Sequence, residues 1–131
     1  MDKFIKIIFL VILNFSLLFS FSTKASEKIK IGLMVPLTGS NKDLGQSIIK
    51  AVRLAVKDIN NNSIEIIPKD TASKANKSLK SAFELKQMGV KVVIGPIFYE
   101  SISYLDEMKD ITFLSLTNKT LDLPKNVISA G

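Results

Sequence analysis

IKIGLMVPLTGSNKDLGQ, residues Ile29 to Gln46, decides the fold. Ile31, Leu33, Met34 and Val35 form a short, nearly continuous apolar run, the pattern of a parallel strand buried on both faces. Pro36 has no N–H to give a ladder, so the strand ends there. Thr38, Gly39, Ser40 and Asn41 bring turn chemistry and an N-cap for a helix starting near Lys42 or Asp43. The stretch is therefore a strand–loop–helix unit. In open α/β sheets the carboxyl end of such a strand, faced by helix N–H groups, is where ligands collect.

Downstream, Leu44, Ile48, Val52, Ala55 and Ile59 recur at spacings of four and three, with Ile49 and Val56 widening the apolar stripe. Asn60-Asn61-Asn62 ends this helix, since Asn tolerates a left-handed cap. Ile64 to Ile67 reads as a second strand stopped by Pro68, which delivers Lys69, Asp70 and Thr71 to a loop. A second helix is expected from an N-cap at Ser73, with Ala75, Leu79, Ala82, Phe83 and Leu85 inward and Gly89 just past its end. Val90 to Ile94 gives a third strand, cut off by Gly95-Pro96. Ile97 to Ser101 then turns into a short helix with Ile102, Leu105 and Met108 inward. Ile111 to Leu116 and Val127 to Ala130 are the last two strands.

Strands alternating with helices imply a doubly wound α/β fold: a parallel sheet with helices on both faces and right-handed crossovers. No internal repeat or low-complexity linker divides residues 26–131, which read as one lobe. The final strand has no covering helix after it, so a partial lobe is expected, one face of the sheet being short of cover.

Ahead of the lobe, Lys3 and Lys6 precede an apolar core from Ile7 to Phe21, and Thr23-Lys24-Ala25 sets small residues where a signal peptidase reads. The core is shorter than the roughly 20 residues of a spanning helix. A signal peptide over residues 1–25, cut after Ala25, follows; an uncleaved membrane anchor is the alternative. Either places the remainder outside the cytoplasm. Loss of Asp2, Lys3, Lys6 and Lys24 lowers the formal charge from +6 to +4. Arg53 is the lone arginine and no aromatic residues interleave with the lysines, which disfavours a nucleic-acid groove.

The chain has no Cys and no His. Disulfides, thiol catalysis, a lipoprotein-type lipid, zinc sites and His relays are thereby excluded. The G-x-S-x-G turn and the phosphate loop are absent, and Gly32 with Gly39 does not make a dinucleotide fingerprint, because Pro36 and Leu37 interrupt it. An enzyme would have to work with Asp70 and Glu100 alone, so a non-enzymatic protein is expected, with no cofactor and no metal. Loops at the strands' carboxyl ends offer the hydroxyls of Thr38, Ser40, Ser101, Ser115 and Thr117, the amide of Asn118, the rings of Phe98 and Tyr99 and the charges of Asp70 and Glu100, an inventory suited to a small polar solute, with Thr38, Ser40, Tyr99, Glu100, Ser101, Thr117 and Asn118 as the expected ligand contacts. The same residues also read as turn, cap and brace residues, Asp70 in particular as a loop brace.

With those residues set out, IGLMVPLTGSNKDLGQ, KDTAS, VKVVIGPIFYES and FLSLTN, in this order, resemble the N-terminal lobe of type I periplasmic binding proteins of the leucine/isoleucine/valine-binding group. The resemblance implies two α/β lobes joined by a hinge, an amino-acid-like ligand held between them, and delivery to an ABC transporter permease. It also implies that the loop Gly95 to Ser101 holds a ligand carboxylate and the loop Leu116 to Asn118 an ammonium. Tyr99 and Glu100 depart from the small hydroxyl residues expected there, and a carboxylate facing a carboxylate repels. GPIFYES and SLTN also resemble the penicillin-binding-protein activator branch, which implies contact with a cell-wall synthase in place of a permease. Both branches imply a periplasmic location.

Overall fold

The computed structural model describes residues 3–4 and 27–131. The expected signal segment and its cleavage point lie outside the described residues, apart from Lys3 and Phe4. The chain runs β1 (Ile29–Val35), α1 (Lys42–Ile59), β2 (Ile64–Asp70), α2 (Ala75–Gln87), β3 (Val92–Ile94), two 3-10 turns (Tyr99–Ser101 and Leu105–Glu107), β4 (Thr112–Ser115) and β5 (Val127–Ser129). The five strands form one sheet in the order β2-β1-β3-β4-β5, every neighbouring pair parallel. This is the doubly wound arrangement expected.

Position explains the composition of β1. It lies between β2 and β3, with Leu33 paired to Pro68 on one side and to Ile94 on the other. Leu33, Met34 and Val35 are fully buried, and alternation sends them to opposite faces. Leu33 and Val35 pack with Ile49 of α1, flanked by Ile48, Val52, Ile66, Ile94 and Ile97. Met34 joins the larger cluster of Ala82 and Leu85 from α2 with Val93, Ile102, Leu105, Met108, Ile111 and Phe113. The two helices thus cover opposite faces of the sheet. Each fully buried side chain of this size contributes about 1.5–3 kcal/mol by leaving water.

Several local expectations shift. Pro68 does not stop β2, which runs on to Asp70; as an edge strand it tolerates a proline, whose missing N–H costs nothing on the open side. The buried line of α1 runs through Gly45 and Ile49, while Leu44 and Ile59 are exposed. Gly45 is the reason: a Cβ there would overlap the Pro36 carbonyl oxygen, so the helix lays its glycine on the chain at the end of β1. Helix α2 starts at Ala75 with Lys74 as N-cap, not Ser73, which adopts a left-handed φ of 57°. Phe83 turns outward and is 46 % exposed, because Ser78 and Ser81 take places on the buried side. The segment after β3 makes two short 3-10 turns, yet Ile102, Leu105 and Met108 are buried as expected. On the α1 side of the sheet the register leaves Val92 37 % and Ile128 53 % exposed, so cover is thin over β3 to β5. Among the described residues, no helix is long and apolar enough to cross a membrane.

Candidate functional site

Chain order reverses between β1 and β3: β2 lies to one side of β1, and β3, β4 and β5 follow on the other. The loops leaving β1 and β3 therefore part at a topological switch point, where open α/β sheets hold ligands. Four loops meet at this carboxyl edge, those following β1, β2, β3 and β4.

The β1 and β2 loops are braced by Asp70. Its Oδ1 accepts from the backbone N–H groups of Leu37 (2.8 Å), Thr38 (3.2 Å) and Ala72 (2.8 Å), and its Oδ2 accepts from the Thr38 hydroxyl (2.6 Å). Burial pushes the Asp70 carboxyl upward, but the Thr38 hydroxyl and the three amides outweigh it and hold the pKa at about 2. The β1–β2 ladder continues past the strands, with Thr71 N–H donating to Val35 O at 3.0 Å. Asn41, expected to help cap α1, makes no side-chain cap bond; its amide donates to the Ser73 hydroxyl at 3.0 Å, a second tie between the same loops.

The β3 and β4 loops are tied as closely. Gly95 N–H donates to Leu114 O (2.8 Å), Leu116 N–H to Pro96 O (3.1 Å), and the buried Ser115 hydroxyl to Pro96 O (2.9 Å). Gly95 has φ +103° and stands against the Met34 carbonyl oxygen, where a Cβ would overlap; only glycine fits that approach without strain. The Gly95–Pro96 peptide bond is cis. The ammonium of Lys119 lies 3.4 Å from the centre of the Tyr99 ring, a cation–π contact from one loop to the other.

The seven expected site residues all fall on this edge but differ in availability. Thr38 is exposed, with its hydroxyl given to Asp70. Ser40, Glu100 and Asn118 are exposed and make no side-chain hydrogen bond among the described residues. Tyr99 is half-buried against the α2-side core. Ser101 is buried, 3.0 Å from the Ser78 hydroxyl, which also contacts the Lys74 carbonyl at 3.0 Å. Thr117 is buried, and its hydroxyl oxygen accepts the Lys119 N–H at 3.3 Å. A cavity of about 370 Å³ beside Tyr99 is lined also by Ile102, Ser103, Asp106, Asp122, Leu123 and Pro124; of the expected residues it touches Tyr99 alone. The edge is thus an open, braced rim.

Ser78 and Lys119 are the contributors not anticipated, whereas Ser115, expected among the loop hydroxyls, is buried and bonded to Pro96. Ser78 shares the buried line of α2 with Ala82 and Leu85, a spacing of four and three that marks it as inward once the helix start is known. Ser115 ends β4 on the same face as Phe113, so alternation alone would have placed it inside. Lys119 has no such signal, because its contact joins two separate loops.

The chain matches the model of the family described as periplasmic binding protein over residues 28–125. Among solved structures it is similar to LivJ, the branched-chain amino acid transporter substrate binding protein from Streptococcus pneumoniae in complex with isoleucine, with a TM-score of 0.66 and 23 % identity over 77 % of this chain and 33 % of that one. An ABC transporter solute binding protein from R. palustris in complex with 4-hydroxybenzoate gives a TM-score of 0.64 and 19 % identity, covering 69 % and 27 % of the two chains. The C-domain of LpoA from Haemophilus influenzae, a regulator of PBP1A, gives 0.61 and 23 %, covering 75 % and 31 %. No curated protein matches the chain. The chain spans between 27 % and 33 % of the length of these structural relatives, whose likeness establishes the fold. With the family model matched across well over half its residues and the five-stranded parallel lobe in place, the chain belongs to the periplasmic binding protein family.

Proposed function

We propose that residues 26–131 form the N-terminal lobe of a non-enzymatic, extracytoplasmic solute receptor, which holds a small polar, amino-acid-like ligand between two lobes and hands it to an ABC transporter permease. The observation that carries this reading is the cross-braced edge: Asp70 fixes the β1 loop, and the Ser115–Pro96 bond fixes the β3 loop. Loops held in this way present their exposed groups, Ser40, Glu100 and Asn118, without an ordering cost at binding. Hinge closure of a second lobe over the edge would bury the ligand's polar groups against them. The family match supports the reading, as do relatives solved with isoleucine and with 4-hydroxybenzoate. The signal segment 1–25 would export the protein to the periplasm, with cleavage after Ala25 giving a mature N-terminus at Ser26, which intact-mass measurement of the exported protein checks.

Calorimetric titration of the full-length protein with a panel of amino acids and aromatic acids tests the receptor reading. Saturable binding of a panel member, lost in a variant carrying Ser40→Trp at the exposed rim, is the expected outcome. A second reading is regulation of a cell-wall synthase through protein contacts. It is favoured by the likeness to the LpoA C-domain and by the hydroxyls of Thr38 and Ser101 being spent inside the lobe, on Asp70 and Ser78. That reading requires no panel member to bind and a purified synthase to associate with the protein directly.

A further inference from the structure

Resting on the receptor reading, we propose that Lys119 is a ligand-holding residue and that the solute is a small organic acid, its carboxylate seated on the Lys119 ammonium at the β4 side of the edge.

The chain places this charge deliberately. Thr117 is buried, its N–H donates to Ser115 Oγ at 3.3 Å, and its own hydroxyl oxygen accepts the N–H of Lys119 at 3.3 Å. This local turn reverses the loop and returns Lys119 toward β3, where its ammonium rests 3.4 Å from the centre of the Tyr99 ring. A free lysine head is strongly hydrated and its stem mobile. Here the head rests on a ring across two loops that the Ser115–Pro96 bond already joins.

The ring positions the charge but does not neutralise it. An aromatic face offers a quadrupole and no net charge, so a cation lying on it still attracts an anion. The ion pairs among the described residues are Lys69–Glu84 and Lys86–Asp110, and Lys119 is in neither. It is therefore a held cation outside the ion pairs of the described residues, at the edge where the loops converge, and Asp106 and Asp122 are the carboxylates that line the cavity beside Tyr99. The exposed amide of Asn118 adds a donor beside it. Glu100 is the one carboxylate of the Tyr99–Ser101 turn, and its exposure leaves its repulsion to be screened by water and salt. A carboxylate bonded to a lysine ammonium makes a charge-assisted hydrogen bond, about twice as strong as a neutral one.

The test uses the full-length protein and two sets of probes matched in shape but differing in charge: benzoate, benzamide and benzylamine; isovalerate, isovaleramide and isoamylamine. Titrations compare the wild type with Lys119→Met and Lys119→Arg, after circular dichroism confirms that each variant is folded. In at least one set the wild type should bind the acid tighter than its amide by about tenfold to a hundredfold. Lys119→Met should erase that preference by weakening the acid more than the amide, and Lys119→Arg should keep it. An acid preference that survives in Lys119→Met, or a preference for amide or amine in the wild type, overturns the assignment of Lys119 and leaves the receptor reading standing. Absence of binding by all six probes also overturns it, and the receptor reading then stands or falls on the wider panel.

Discussion

The hydroxyl of Thr38 donates to Oδ2 of Asp70 at 2.6 Å, joining the loop after β1 to the last residue of β2. Three backbone amides converge on the other carboxylate oxygen, from Leu37 and Thr38 on one loop and Ala72 on the next. A polar residue at a strand's carboxyl end would ordinarily be offered to a ligand. Here its lone pairs are committed to the scaffold, and Asp70 fixes the loop that carries Ser40.

The brace makes stability depend on pH in a defined direction. The Asp70 pKa falls from 3.8 to about 2 on folding, so the folded protein binds fewer protons and the contribution is complete above the unfolded value. It is lost as pH falls from about 4 through about 2. After allowance for partial exposure, Asp70→Asn should cost on the order of 1–2 kcal/mol at neutral pH. Urea midpoints for the two proteins should differ at pH 6 and converge near pH 2. A gap that stays constant over that range would mean that the carboxylate charge contributes nothing to the brace.

Helix α1 offers a sharper packing test. Gly45 lies against the Pro36 carbonyl oxygen, and any Cβ there must displace either the helix or the end of β1. In a helix interior alanine normally outdoes glycine by about 1 kcal/mol. Gly45→Ala should instead destabilise by about 1–3 kcal/mol, the usual cost of overpacking. Gly89→Ala is a useful contrast: it has open space around it but a φ of +78°, so its cost would come from backbone strain alone. Thermal unfolding of both variants separates the two causes, since shifting α1 should also weaken any ligand bound at the edge while Gly89→Ala should not. Unchanged or increased stability of Gly45→Ala would show that α1 can move away from Pro36 without loss.

These two sites mark what the sequence could and could not disclose. The apolar run Leu33-Met34-Val35 needs a strand buried on both faces, and that need gave the parallel sheet, the stop at Pro36 and the helix start at Lys42. Ile102, Leu105 and Met108 were legible as inward because their spacing is set by local geometry. The face of α1 was misread by one position, since the close approach of Gly45 to Pro36, not the count of apolar residues, sets the helix rotation. Ser73 failed as a cap because it belongs to a left-handed turn bonded to Asn41. Topology was enough to put the expected site residues at the carboxyl edge of the sheet, where the structure has them. Their availability was not legible, because Thr38, Ser101 and Lys119 are each engaged by a partner on a different loop or helix. Such pairings depend on tertiary contact, and no periodicity records them.

Glu100 gives the last prediction. It is exposed on the turn following β3, next to Tyr99, whose ring carries the Lys119 ammonium. A carboxylate at the rim repels an acidic ligand and attracts a basic one, and an exposed charge of this kind is worth about 0.2–1 kcal/mol. Glu100→Ser should therefore tighten binding of a carboxylate ligand by up to about fivefold and weaken an amine by a similar factor. Both changes should shrink when ionic strength is raised toward 1 M, where the screening length falls to about 3 Å. Titrations at low and high salt read both effects. An identical binding profile in the two proteins at low salt would place Glu100 away from the ligand.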